Sequence, residues 1–182
     1  MNRRYHLLLS FVLLACSAMS VSGQSQMSAQ ASGPAQSRVQ REVMHELLML
    51  PYYNVFDSIA FQVNGDTVTL LGWVTQPVLK SDAENAIKHI EGVSRVDNKI
   101  DVLPPSPIDD QLRLQLFRAI YGFPSLEKYS LGVQKPIRII VNNGHVSLEG
   151  VVDSQGDKDT AGIRAKGVPG IFSVENNLRI GS

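Results

Sequence analysis

A single cysteine, Cys16, in 182 residues excludes an intramolecular disulfide. Charge of one sign is also missing. Seventeen basic side chains meet seventeen acidic ones, so no basic stripe marks a nucleic-acid binder. No P-loop, dinucleotide fingerprint or G-x-S-x-G elbow occurs, and the serines have no recognisable base beside them. His45, His89 and His145 are scattered, none at the i, i+4 spacing of a helical metal site. Asp153, Asp157 and Asp159 lack the glycine and terminal glutamate of an EF-hand loop, so they read as helix-start and solvated residues. These absences point away from an enzyme, a metal site, a cofactor and a small-molecule substrate.

Long apolar runs are absent too. Leu7 to Ala15 follows Arg3 and Arg4 and is too short to span a bilayer, so residues 1–23 read as an export signal. Two exits compete: Leu13-Leu14-Ala15-Cys16 has the form of a lipobox whose Cys16 is lipidated, and Val21-Ser22-Gly23 has the form of an ordinary cleavage site. Residues 24–37 are rich in Ser, Gln, Ala and Gly and read as a flexible tether.

What the chain does contain is a repeat. VNGDTVTLLGWV begins at Val63 and VNNGHVSLEGVV begins at Val141, and NKIDV at Asn98 returns as NNLRI at Asn176 with the same offset of 78 residues. Upstream of each hairpin lies an apolar stripe at helical spacing. Val39, Val43, Leu47 and Leu50 end at Pro51, while Leu112, Leu116, Ile120 and Phe123 end at Pro124. Ser37 to Gln40 has the form of a capping box for the first stripe. The helical offset is 73, so about five residues are inserted in the second copy, with Leu131 to Pro136 the expected place.

Two-residue turns at Gly65-Asp66 (type II′) and Asn143-Gly144 (type I′) place Val63 opposite Val68, Phe61 opposite Leu70 and Val141 opposite Val146. A second helix carries Leu79, Ala83, Ala86, Ile87 and Ile90. Its counterpart keeps only Ala161, Ala165 and Val168, and Gly156 and Gly162 predict a short or loosely held helix. A last strand closes each copy, over 93–102 and 171–180. The reading is α+β: two tandem α-β-β-α-β domains, 38–103 and 108–182, each a three-stranded mixed sheet with two helices on one face, joined by a Pro-rich linker at 104–107. Gly72 and Gly150 inside strands read as bulge or close-packing positions.

Each copy resembles a BON domain, through V-x-L-x-G-x-V (Val68 to Val74, Val146 to Val152) and the segments from Gly92 to Ile100 and Gly170 to Leu178. The layout is similar to dual-BON outer-membrane lipoproteins and osmotically inducible periplasmic proteins. The resemblance implies an exported, periplasmic protein, anchored to the outer membrane if Cys16 is lipidated. It also implies association with phospholipid surfaces and envelope integrity under stress, without catalysis.

Two surfaces are candidates for contact. Residues 38–103 hold six basic and nine acidic side chains and residues 108–182 nine and eight, so the second copy suits an anionic surface better. On its first helix Phe117 and Tyr121 lie beside the core stripe and Arg113 and Arg118 off it, an expected lipid-binding edge, with Lys128, Lys135 and Arg138 as additions. Leu71, Trp73, Ile140 and Val151 point away from the helices by alternation and are expected to meet the other domain, or an unidentified envelope protein for which the chain acts as an adaptor.

Overall fold

The two-residue hairpin is the seed of each repeat. In a computed structural model of the chain, which describes residues 34–132 and 134–181, β1 (Ser58–Asn64) pairs antiparallel with β2 (Thr67–Val74). Val63 faces Val68 and Phe61 faces Leu70, the register that the turn length predicts. Gly65 has φ +63° and Asp66 is not left-handed, as type II′ requires, whereas Asn143 and Gly144 are both left-handed, as type I′ requires.

The helix α1 (Pro34–Leu48) precedes the hairpin, and α2 (Pro77–Lys88) and β3 (Arg95–Val102) follow it. β3 runs parallel to β2, giving the sheet order β1-β2-β3. Val39, Val43, Leu47, Leu79, Ala83 and Ile87 pack with Val68, Leu70, Val74 and Ile100 into one core. α1 opens at Pro34, so residues 34–37 are helical where composition suggested tether, and Ser37 lies inside the helix, where it cannot be its N-cap.

The second repeat runs α3 (Pro107–Tyr121), a 3₁₀ turn at Glu127–Ser130, β4 (Ile137–Asn142), β5 (His145–Val152), α4 (Gln155–Lys166), β6 (Ser173–Asn176) and β7 (Arg179–Ile180). Pro107 is already helical and the Ser106 hydroxyl accepts from Asp109 N–H, so the linker ends as the cap of α3. The expected last strand is split into β6 and β7, both parallel to β5, with Asn177 N–H bonded to Leu148 C=O between them. The extra residues of this repeat include the 3₁₀ turn, upstream of the expected place. Its Tyr129 and the preceding Leu126 enter the core.

α4 is neither short nor loosely attached. It has 12 residues, as α2 does. Ser154 caps it, and Asn176 Nδ2 donates to Lys158 C=O, as Asn98 does to Lys80 C=O in the first repeat. Low propensity is offset by packing: a Cβ at Gly162 would stand 2.8 Å from Asn176 Nδ2, so the small residue lets helix and strand meet. Gly72, Gly92, Gly150 and Gly170 all have positive φ, an observation that places them as backbone requirements. The described residues fall within one compact unit. Cys16 and residues 1–33, with both expected cleavage sites, lie outside the described residues.

Candidate functional site

The residues expected to form a lipid-binding edge on α3 divide in two. Arg113 is buried, its Nη2 donating to Val141 C=O at 2.7 Å and its Nη1 to Asp110. Tyr121 is buried as well. Its hydroxyl donates to Ile137 C=O at 2.6 Å and accepts from Ile137 N–H at 3.1 Å, and burial pushes its ionisation well above the usual tyrosine range. Arg113 lies off the apolar stripe and Tyr121 beside it, yet both turn inward because they serve the outer edge of β4. Phe117 is half-buried, stacked 5.0 Å from Tyr121 and edge-on to Phe56 of the first repeat at 6.5 Å. Of the four, Arg118 alone is exposed.

The β4 edge is where the repeats meet. A two-residue hairpin directs the N–H and C=O of residues 137, 139 and 141 away from β5. Ile139 N–H is taken by Val55 C=O at 2.9 Å, so the loop between α1 and β1 adds its main chain to the second sheet. Arg138 donates to Asn54 C=O at 2.8 Å and lies 4.5 Å from the Tyr53 ring centre, while Gln134 donates to Leu48 C=O. The loop is itself fixed by Asp57, fully buried. One carboxylate oxygen accepts from Thr75 N–H at 2.7 Å and Thr75 Oγ1 at 2.8 Å, the other from Asn54 N–H at 3.0 Å. A second buried acid, Asp109, accepts from Asn143 and Gly144 N–H and ties α3 to the β4–β5 turn. No periodicity flagged Asp57 or Asp109. The local signal was only an acid three residues after a capping serine (Ser106 to Asp109) and one just before a strand (Asp57).

Beside this contact opens a cleft of about 1150 Å³. Met44 and Leu48 of α1 with Ile59 and Phe61 of β1 form one wall, and Arg138, Glu149, Val151 and Arg179 of the second sheet form the other. The second pair of expected contact sets is thus divided too. Val151 lines the cleft and Ile140 is buried on the sheet face opposite the helices, but the hydrogen bonds and ring contacts between the repeats run through Leu48 and through Tyr53 to Phe56, and among the described residues none involves Trp73. Trp73 stays 38% exposed and Leu71 half-buried.

A BON domain matches residues 32–104 and again residues 126–182. The chain belongs to the BON domain family. The Osmotically-inducible protein Y of Escherichia coli K12 is 28% identical over 128 residues, covering 67% of this chain and 61% of that protein. The chain therefore spans about three fifths of the length of that curated relative. Two structures of CdsD, a structural protein of the type III secretion system of Chlamydia trachomatis, align at 15% identity with TM-scores of 0.29 and 0.30. The alignments cover 78% and 80% of this chain and 96% and 94% of those. Such values bear on no functional argument.

The two BON repeats solve one local problem differently. Thr75 and Asp153 are equivalent, each following the second strand, and each needs an acceptor for its N–H. Asp57 supplies it in the first BON repeat and the Tyr129 hydroxyl, at 2.7 Å, in the second. Tyr129 also donates to Asp157 at 2.8 Å, and Lys128 bridges Asp153 and Asp157 at 2.8 and 3.0 Å. The acidic group therefore holds the 3₁₀ turn to the start of α4, and among the described residues no cluster has the makeup of a metal site.

Bonding to Lys128, then to Tyr129, lowers the Asp157 carboxyl below its ordinary value. Its folded-state value lies below the unfolded one, so its contribution is complete above the ordinary carboxylate range and is lost as pH falls through the lowered value. Urea midpoints should drop as pH falls from the ordinary carboxylate range through the lowered Asp157 value, and drop less in Asp157→Asn. An equal drop in both proteins would show that other carboxylates set the acid limit.

Proposed function

We propose that this BON protein is a non-catalytic component of the cell envelope that binds anionic phospholipid surfaces through the exposed arc of α3. The observation that carries it is the outer arc of that helix. Ile108 is 71% and Leu114 51% exposed, with Arg118 one turn after Leu114. Apolar side chains beside a cation suit the boundary between acyl chains and anionic headgroups. The site is thus Leu114 and Arg118, displaced from the expected edge because Arg113 and Tyr121 are structural. A single arginine gives weak binding, so an N-terminal lipid on Cys16, or multivalency, would raise it. No helix among the described residues is long and apolar enough to cross a membrane, and export with residence in the periplasm is part of the proposal. The relative named for osmotic induction supports a stress-related role.

The test is co-sedimentation of residues 32–182 with neutral and with anionic vesicles. Expected is binding to the anionic vesicles only, weakened by salt and abolished in Leu114→Ser/Arg118→Glu. Arg113→Glu is unsuitable as a control, because it would strip the β4 edge. Equal binding to neutral vesicles, or undiminished binding by the double variant, would reject the reading.

A further inference from the structure

The outer edges of the two hairpins differ at their middle residue, and in the first repeat that residue, Phe61, lines the cleft. In β1 the hairpin register directs residues 59, 61 and 63 outward, as it does residues 137, 139 and 141 in β4. Ile59 N–H is taken by the Tyr53 hydroxyl, as Ile137 N–H is by that of Tyr121. Val63 C=O accepts from Gln36, as Val141 C=O accepts from Arg113. At the middle position the likeness ends. Ile139 N–H meets a main-chain carbonyl, Val55 C=O, whereas Phe61 N–H and C=O have no hydrogen-bond partner among the described residues. The molecule itself thus shows that such an edge takes a main-chain group of another repeat, here a carbonyl from the turn at Val55 and Phe56.

The surroundings of Phe61 define the segment. The cleft beside it has an apolar wall, Met44 and Ile59, to receive alternate side chains. Its ionic lining is unequal: Arg41, Lys135, Arg138 and Arg179 against Glu149. Lys135 is held by the carbonyls of Ser130 and Gly132, and Arg138 by Asn54 and Tyr53. Arg41 and Arg179 are exposed and have no ion-pair partner among the described residues. We propose that the β1 edge is a docking site for an extended, acidic peptide segment of a partner protein. The segment would pair its main chain with Phe61 and place carboxylates against Arg41 and Arg179. Strand addition supplies affinity without sequence demand, and the charges select the partner. The proposal is independent of the vesicle reading, which concerns the exposed residues Leu114 and Arg118 of α3.

The probe is a labelled peptide of about ten residues alternating Glu and Val, enough to run the 7 residues of β1. Controls are its Lys/Val counterpart and a form N-methylated at alternate residues. Binding to the full chain and to residues 32–182 would be followed by fluorescence anisotropy, and amide exchange would be read at Phe61 and Ile139. Expected is binding of the Glu/Val peptide to both proteins, at least about tenfold weaker for Lys/Val and for Arg41→Glu/Arg179→Glu. N-methylation should abolish it. Exchange at Phe61 should slow on binding while that at Ile139, already bonded, stays constant. Equal binding of the N-methylated peptide, or unchanged exchange at Phe61, would overturn strand addition. Binding to residues 32–182 but not to the full chain would overturn it in favour of occupation by the chain's own N-terminal segment. Protection of Phe61 that grows with protein concentration alone would overturn it in favour of a second copy.

Discussion

Replacing Gly72 by alanine is expected to cost about 3–5 kcal/mol, the sum of a forbidden backbone conformation and a steric clash. Gly72 has φ +123°, and a Cβ there would stand 2.0 Å from the Ser58 carbonyl oxygen, main-chain matter of the neighbouring strand that cannot rotate aside. Gly150 repeats the arrangement, φ +116° with a Cβ 1.9 Å from the Pro136 carbonyl oxygen, so Gly150→Ala should cost as much. Gly65 separates the two causes. It has φ +63° but nothing within 4 Å, so Gly65→Ala should cost only the conformational share, about 1–2 kcal/mol. Urea unfolding of the three variants measures the difference. If Gly72→Ala loses no more than Gly65→Ala, the close approach of the strands is not what the glycine serves.

The second large effect is expected at Asp57. Asp57→Ala removes a fully buried carboxylate and leaves the N–H and Oγ1 of half-buried Thr75 and the N–H of half-buried Asn54 without their acceptor, a loss of about 3–4 kcal/mol. Its consequence should reach the other repeat. Asn54 and Val55 lie in the loop that Asp57 fixes, and they bond Arg138 and Ile139. Faster amide exchange at Ile139 is therefore expected alongside the lost stability, with Asp57→Asn intermediate because its amide oxygen can still accept from Thr75. Lost stability with unchanged exchange at Ile139 would show that the loop grips β4 without Asp57.

The sequence made the hairpins legible because a two-residue turn and strict alternation leave one register open, and Val63 opposite Val68 follows from both. The stripes of α1, α2 and α3 were legible for a similar reason: Val43, Leu79 and Leu116 each recur at helical spacing. What the pattern could not carry was the destination of polar groups. Arg113 sits off the stripe, where a helix normally meets solvent, and Tyr121 beside it, but the edge of β4 comes close enough to bury both. Gly162 lowers the propensity of α4 in isolation, and its value appears only where Asn176 packs on it. Asp57 is likewise mute in sequence, since its partner Thr75 lies 18 residues away across a strand pair. On α3, Arg118 is exposed as its place off the stripe implies, whereas Phe117 is half-buried and Leu114 is the exposed apolar side chain beside Arg118.

The grip of the Val55 loop on β4 also sets an order of assembly. Ile137 to Asn142 reads IRIIVN, an apolar, β-prone stretch, and its outer edge in isolation would be a template for pairing with further chains. Synthesis proceeds from the first repeat to the second, so the covering loop exists before the edge it covers. The dependence is one-sided. The first repeat can complete its hairpin and its Asp57 anchor alone, while in the second Tyr121 and Arg113 cover Ile137 and Val141 but Ile139 N–H lacks its acceptor until the predecessor has folded. Duplication thus produced two unequal copies, the earlier of which completes the strand edge of the later.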